Sequence, residues 1–222
     1  MTKHSQELFK HLIRHVVGAD VLDIGCGEIG YYWAMAYAHK VRSISFCDKN
    51  ALNLKHLQRA LDIFSPEFIA EYHADTMDFL KKEHIVPENY AFAAVAEDLL
   101  SKIKSIATCD FTKLGGTSRF DTILSVEAIE CVDALSEFRN AMRSVYAVLN
   151  PGGLFLMAIT PYDKMTDKVR EYIDSGVEGK LNPGIVAAES ELKSAGFTLE
   201  TMETLPTGID NYSTTIIVKA KK

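Results

Sequence analysis

The chain has 222 residues, 47% of them apolar, and 24 Lys and Arg stand against 30 Asp and Glu for a formal charge of −6. That length suits one α/β domain with a covered core, while no segment approaches the ~20 uninterrupted apolar residues of a membrane helix. The acidic balance, with no basic run interleaved with aromatics, argues against nucleic acid as substrate, because phosphate neutralisation supplies most of such binding.

The start, MTKHSQELFK, is too polar for a secretory signal, so a soluble cytoplasmic protein, monomer or homodimer, is expected. Residues 5–17 place Leu8, Leu12 and Val16 at i, i+4, i+8 with Phe9 and Ile13 beside them, one apolar stripe of a helix lying on a sheet. His11 and His15 stand four apart on that helix without a third ligand, and read as a solvated face. VLDIG predicts the first strand; a turn with G-x-G-x-x-G at Gly25, Gly27 and Gly30 follows it. Then come YYWAMAYAH as a helix, VRSISFCD as a strand and NALNLKHLQRALDIF as a helix, the alternation of a parallel sheet with right-handed crossovers.

Residues 65–106 are the least regular stretch: EFIAEYHAD allows a strand, AFAAVAEDLLSKIKSI reads as helical, and Pro66 and Pro87 punctuate it. Order returns with IATCDFT, the strand FDTILSV, the helix DALSEFRNAMRSVYAVL, a break at NPGG and the strand LFLMAIT. Residues 163–185 are polar and contain glycine, the composition of a mobile cover. ESELKSAG predicts a helix closed by Gly196. FTLETMETLP and YSTTIIVKAKK are then strands separated only by TGIDN, which predicts an antiparallel hairpin. Cys26, Cys47, Cys109 and Cys131 form no C-x-x-C pair and fit neither a zinc site nor a disulfide framework; buried free thiols are expected.

The glycine turn alone does not name its ligand, since a dinucleotide and S-adenosylmethionine (SAM) both fit one at the end of a first strand. A dinucleotide needs backbone N–H groups and a helix N-terminus against a pyrophosphate. SAM carries an ammonium, a carboxylate and a sulfonium instead. Asp23, two residues before Gly25, would repel a pyrophosphate and attract an ammonium. Asp48, at the end of the second strand, is placed to accept from ribose hydroxyls. Asp110 in CDF precedes the FDTILSV strand, where it could accept from an adenine amino group with Phe111 near the ring face. Taken singly each acid could be a cap or loop residue. Three at the ends of successive elements favour SAM.

D-I-G-C-G at 23–27, F-C-D at 46–48, C-D-F at 109–111, FDTILSVEAIECV at 120–132 and LNPGG at 149–153 together resemble a class I SAM-dependent methyltransferase over nearly the whole chain. More narrowly, HSQELFKHLIRH leading into VLDIGCG, the pair Tyr31–Tyr32, SISFCDKNALNLKHLQRAL, the insert before CDFT and the closing YSTTIIVKAKK are similar to the nicotinamide, phenylethanolamine and indolethylamine N-methyltransferase family. Its usual serine and proline in the glycine turn are replaced by Cys26 and Glu28, and where the family usually has a tyrosine-rich segment before the first helix, the sequence here starts at Met1, a few residues before that helix. The resemblance implies a Rossmann-like α/β sandwich, a mostly parallel seven-stranded sheet with an antiparallel C-terminal strand. It implies one domain over residues 1–222, with the irregular insert about 65–106.

It further implies a SAM site of Asp23, Gly25, Cys26, Gly27, Tyr31, Asp48, Lys49, Asn53, Asp110, Phe111, Ser125 and Val126. Methyl transfer from a sulfonium is an in-line displacement, so the protein's task is to align the acceptor and free its lone pair. Glu127 and Glu130, after the FDTILSV strand where an open sheet meets its ligand, and Tyr32 are the candidate catalytic groups. Tyr31, Tyr32 and Trp33 could wall the acceptor pocket or pack in the core, and Tyr162 is a further pocket candidate. An E-x-x-E-H motif holds a divalent metal in some methyltransferases; Cys131 stands where its histidine would, so no metal is expected. The expected acceptor is a small molecule, an amine preferred by the narrower resemblance. Competing expectations are an O- or carboxyl-methyltransferase, a nucleic-acid methyltransferase (disfavoured by charge and by SVEA after that strand), an enzyme displacing the sulfonium internally, and a SAM-binding scaffold.

Overall fold

The structure is a computed structural model that describes residues 1–115 and 120–222. Its strands are β1 (Asp20–Ile24), β2 (Ser43–Asp48), β3 (Ile103–Thr108), β4 (Phe120–Val126), β5 (Leu149–Ile159), β6 (Thr198–Ile209) and β7 (Tyr212–Lys221). Its α-helices are α1 (Lys3–His11), α2 (Gly30–Ala34), α3 (Ala51–Asp62), α4 (Pro66–Tyr72), α5 (Ala74–Lys82), α6 (Phe92–Lys102), α7 (Leu135–Val148), α8 (Asp167–Asp174) and α9 (Ile185–Ala195). The strands form one sheet in the order β3-β2-β1-β4-β5-β7-β6, parallel except for β7, which runs antiparallel to both β5 and β6. This is the Rossmann-like arrangement expected, with its antiparallel C-terminal strand.

Strand residues alternate between two apolar layers, as a period of two requires. Val21, Phe46, Leu124 and Leu156 face one layer, where they meet Leu8 and Phe9 of α1, Leu57 of α3 and the insert helices through Ile69, Leu80 and Leu99. Leu22, Ile123, Phe155 and Met157 face the other, covered by Phe138, Met142 and Val145 of α7 and by Ala188 and Leu192 of α9. Because the order of strands reverses between β1 and β4, the crevice above their C-terminal ends is where a ligand meets the sheet.

Three local expectations differ from what is observed. EFIAEYHAD, which allowed a strand, contains α4: the Ser65 side chain accepts from Phe68 N (3.2 Å), Pro66 takes the first helical turn and Glu67 lies at the dipole's positive end. YYWAMAYAH contains only the short α2, followed by a 3-10 turn at Ala38–Lys40. The terminal strands continue through most of TGIDN, so the hairpin tip is Asp210 and Asn211, the latter left-handed at φ 69°. The helix closed by Gly196 is found, with that glycine in the left-handed C-cap conformation.

The cysteine expectation is corrected too. Cys26 and Cys131 are free, but Cys47 and Cys109 form a disulfide, with Cα atoms 5.6 Å apart at a sequence separation of 62. Parallel pairing of β2 with β3 brings their C-terminal ends side by side, which spacing along the chain could not reveal.

Candidate cofactor and acceptor site

Asp23, Asp48 and Asp110 stand at the C-terminal ends of three adjacent strands, in β1, at the end of β2 and just past β3. The glycine turn is lashed to β2. Gly25 N and Cys26 N both donate to Cys47 O (2.7 and 3.2 Å), and Gly27 N donates to Asp48 Oδ2 (2.9 Å). Gly25 has φ +65°, and a Cβ on it would lie 2.2 Å from Cβ of Ala128, so only glycine lets the turn after β4 close on it. Gly27 is also left-handed, φ +60°, but a Cβ there would meet nothing within 4 Å: the space over the turn is open.

A cavity of about 190 Å³ occupies that space, lined by Asp23, Gly27, Trp33, Val126 and Glu127 among others. Asp23 is 1% exposed and its Oδ2 has no partner among the described residues. Burial, then the charge of Asp48, raises its pKa well above the ordinary range. A buried carboxylate oxygen without a donor is costly, roughly 1–3 kcal/mol, and a cationic or N–H-bearing ligand would relieve it. Asp48 Oδ1 accepts from Asn50 N (2.7 Å), and Asn53 Nδ2 reaches Oδ2 at 3.5 Å. Asp110 caps the turn that follows it, accepting from Thr112 N (2.9 Å) and Thr112 Oγ1 (2.6 Å). It lines a larger cavity, about 770 Å³, with Lys49, Phe111, Cys131 and Glu178; the body of Phe111 is buried against the second apolar layer.

At the tip of β4 the carboxylates gather. Glu127 is left-handed at φ 54°, a conformation that disfavours any side chain, and its N–H is tied to Ala158 O (3.0 Å). Its Oε1 accepts from Thr160 Oγ1 and from His4 Nε2, each at 2.6 Å. Burial would raise the Glu127 pKa, but these two donors outweigh it and hold it below the ordinary value. Thr160 has one hydroxyl proton, which goes to Glu127, so it accepts in turn from Thr215 Oγ1 (2.8 Å). Glu130 is 5% exposed; its Oε1 accepts from Thr160 N (3.0 Å) and its Oε2 has no partner among the described residues. Burial, then Glu127 and Glu178, pushes its pKa up to about 8.

Glu178 comes from residues 163–185, which carry α8 and are fastened to the turn after β4. Lys180 N donates to Asp133 Oδ1 (3.2 Å), Leu181 N donates to Val132 O (3.0 Å), and a Cβ on Gly179 would strike the Val132 backbone at 2.2 Å. Burial, then Glu127, raises the Glu178 pKa.

Of the other sequence candidates, Lys49 and Val126 line the larger and the smaller cavity respectively, and the tyrosines are engaged elsewhere. Tyr32 packs against Phe9 (5.3 Å between centroids), Trp33 and His73. Tyr31 packs against Phe64, Phe68 and His73. Ser125 is fully buried beside Val126, its hydroxyl without a partner among the described residues. Lys49 Nζ reaches Cys131 O at 3.4 Å, and Tyr162 joins Val169 and Tyr212 in a small separate cluster. His4, Thr160 and Glu178, which the geometry brings to Glu127, carry no motif; they come from the first helix, the end of β5 and the connection after it.

The sequence model of the NNMT/PNMT/TEMT family matches residues 1–169, about three quarters of the chain. The chain belongs to this family. It is therefore a SAM-dependent methyltransferase, with SAM as cofactor. A search of the curated proteins by sequence gives no match. Among solved structures, this methyltransferase is similar in fold to the N-methyltransferase NodS from Bradyrhizobium japonicum WM9, crystallised with S-adenosyl-L-homocysteine, at TM-score 0.64 and 13% identity over 99% of this chain and 85% of that one. It is likewise similar to the glycopeptide N-methyltransferase MtfA, crystallised with SAM, at TM-score 0.62 and 13% identity over 97% and 86%. A putative methyltransferase from Bacillus halodurans C-125 superposes at TM-score 0.60 and 16% identity over 95% of each chain. No helix among the described residues is long and apolar enough to cross a membrane.

Proposed function

We propose that this methyltransferase methylates the nitrogen of a small amine. The observation that carries the reading is the Glu127 carboxylate at the tip of β4, held ionised by its two donors and lining the cavity over the glycine turn. Such a charge favours a cation with N–H groups over a phenolate or carboxylate, which it would repel. Bound SAM supplies a methyl carbon activated by its sulfonium. On this reading Asp23 accepts from the methionyl ammonium through its free oxygen, and the open space over Gly27 admits the backbone of that moiety. Asp48 with Asn53 takes the ribose hydroxyls, and Asp110 with the Lys49 side of the larger cavity receives the adenine. Glu127, lining the same small cavity as the glycine turn, stands where the acceptor must arrive.

The test is incubation with SAM and a panel of amines, phenols and carboxylates, followed by mass spectrometry. Amine-dependent formation of S-adenosylhomocysteine, with the amine gaining one methyl mass, is expected. Turnover confined to phenols or carboxylates would overturn the amine reading, and methylthioadenosine formed from SAM alone would point to internal displacement.

A further inference from the structure

We infer that His4 is the general base of the transfer: its Nδ1 takes the proton from the acceptor nitrogen while Glu127 holds its Nε2–H. This rests on the amine reading above. An alkylammonium with the ordinary pKa of a lysine, ~10.4, leaves roughly one molecule in a thousand with a free lone pair near pH 7.4. The Glu127 carboxylate attracts the charged form and lowers that fraction further. The feature that selects the amine therefore also disarms it, and a proton acceptor is needed beside the acids.

Of the two side chains that donate to Glu127 among the described residues, Thr160 has no basic atom, and His4 has the chemistry for this. Glu127 is ionised and accepts through Oε1 from both Thr160 and His4, so in the neutral imidazole the proton lies on Nε2 and the lone pair on Nδ1. Among the described residues Nδ1 has no hydrogen-bond partner. Glu127 thus orients the ring as a carboxylate orients the histidine of a hydrolytic triad. Its left-handed backbone and its bond to Thr160 fix that carboxylate, whose Oε2 remains to hold the ammonium. The ring is not carried on a loose tail. It is 11% exposed, in a helix capped by Thr2 and pinned by Leu8 and Phe9 in the core.

In the step itself, the acceptor's N–H bond breaks, its proton passing to Nδ1 and its electron pair staying on nitrogen. That pair forms the N–CH3 bond as the S–CH3 bond breaks, its electrons going to sulfur. The imidazolium, stabilised by Glu127, then releases its proton to solvent. The titratable groups in play are Glu127, which faces the ring directly, Glu130 and Glu178, whose ionisation Glu127 disfavours, and the Met1 ammonium ahead of the same helix, which acts on His73.

The experiment compares wild type with His4→Gln and His4→Ala in steady-state kinetics from pH 6 to 10, using the amine of the panel that wild type turns over fastest, with S-adenosylhomocysteine affinity measured by calorimetry. Gln keeps an N–H for Glu127 but has no basic nitrogen. Its kcat is expected to fall by about 10²–10⁴-fold near pH 7, with the deficit shrinking as rising pH frees the amine, while S-adenosylhomocysteine affinity stays within about twofold. Free imidazole is expected to restore part of the His4→Ala activity. A His4→Gln enzyme with wild-type kcat, or one whose deficit is the same at every pH, would overturn the assignment and leave His4 a packing residue. If wild type turns over phenols but no amine, the amine reading itself has failed, and this assignment falls with it.

Discussion

Glu130 shows how far one side chain can be read. From the sequence it was an acid after the fourth strand, one helical turn from Glu127; only the structure shows it shut in under Thr160 with one oxygen unmatched. That burial predicts the pH dependence of stability. Its pKa rises on folding from near 4.5 to about 8, so between those values the folded state holds a proton the unfolded state has lost, and stability falls as pH rises through the window. Glu130→Gln, neutral at every pH, is expected to flatten this slope and to be more stable than wild type at pH 8, by an amount on the order of 3 kcal/mol. Urea unfolding of the ligand-free proteins at pH 5 and pH 8 measures it. Equal slopes for both would show that Glu130 ionises freely.

At the scale of elements, what was legible followed from local periodicity. The strands around the glycine turn alternate cleanly between two apolar layers, and the caps at Asn50 and Gly196 mark where α3 starts and α9 ends. The insert was ambiguous because EFIAEYHAD suits either state by composition; the decisive signal, Ser65-Pro66-Glu67 opening a helix, was present but outweighed by β-prone residues. The link between the ends of β2 and β3 was not legible, since it depends on which strands become neighbours. That link has a measurable consequence. Tying residues 62 apart restricts the unfolded chain by about 4 kcal/mol in the loop-entropy model, which in a chain of this size is about 10 °C of melting temperature. Cys109→Ser, and wild type in excess dithiothreitol, are both expected to melt lower by that order in scanning calorimetry. If neither moves, Cys47 and Cys109 are not joined in solution.

For the whole molecule, the sheet order and its antiparallel seventh strand agree with the family resemblance, and they explain why three acids far apart in sequence stand along one edge of one crevice. The acceptor half was only partly legible. Glu127 and Glu130 follow a recognisable strand, whereas His4 and Glu178 reach the same place from the first helix and from the segment after β5, by tertiary packing that leaves no trace in spacing. Tyr31 and Tyr32, for which core packing was the readier expectation and a pocket wall the alternative, are engaged with aromatic neighbours of the core. The account as a whole places cofactor and acceptor on opposite sides of the glycine turn and the tip of β4. A crystal structure with S-adenosylhomocysteine tests that placement most directly. It should show the amino group on Asp23, the ribose on Asp48 and the sulfur facing Glu127 and His4. A nucleoside bound elsewhere, or a sulfur turned away from the three glutamates, would contradict it.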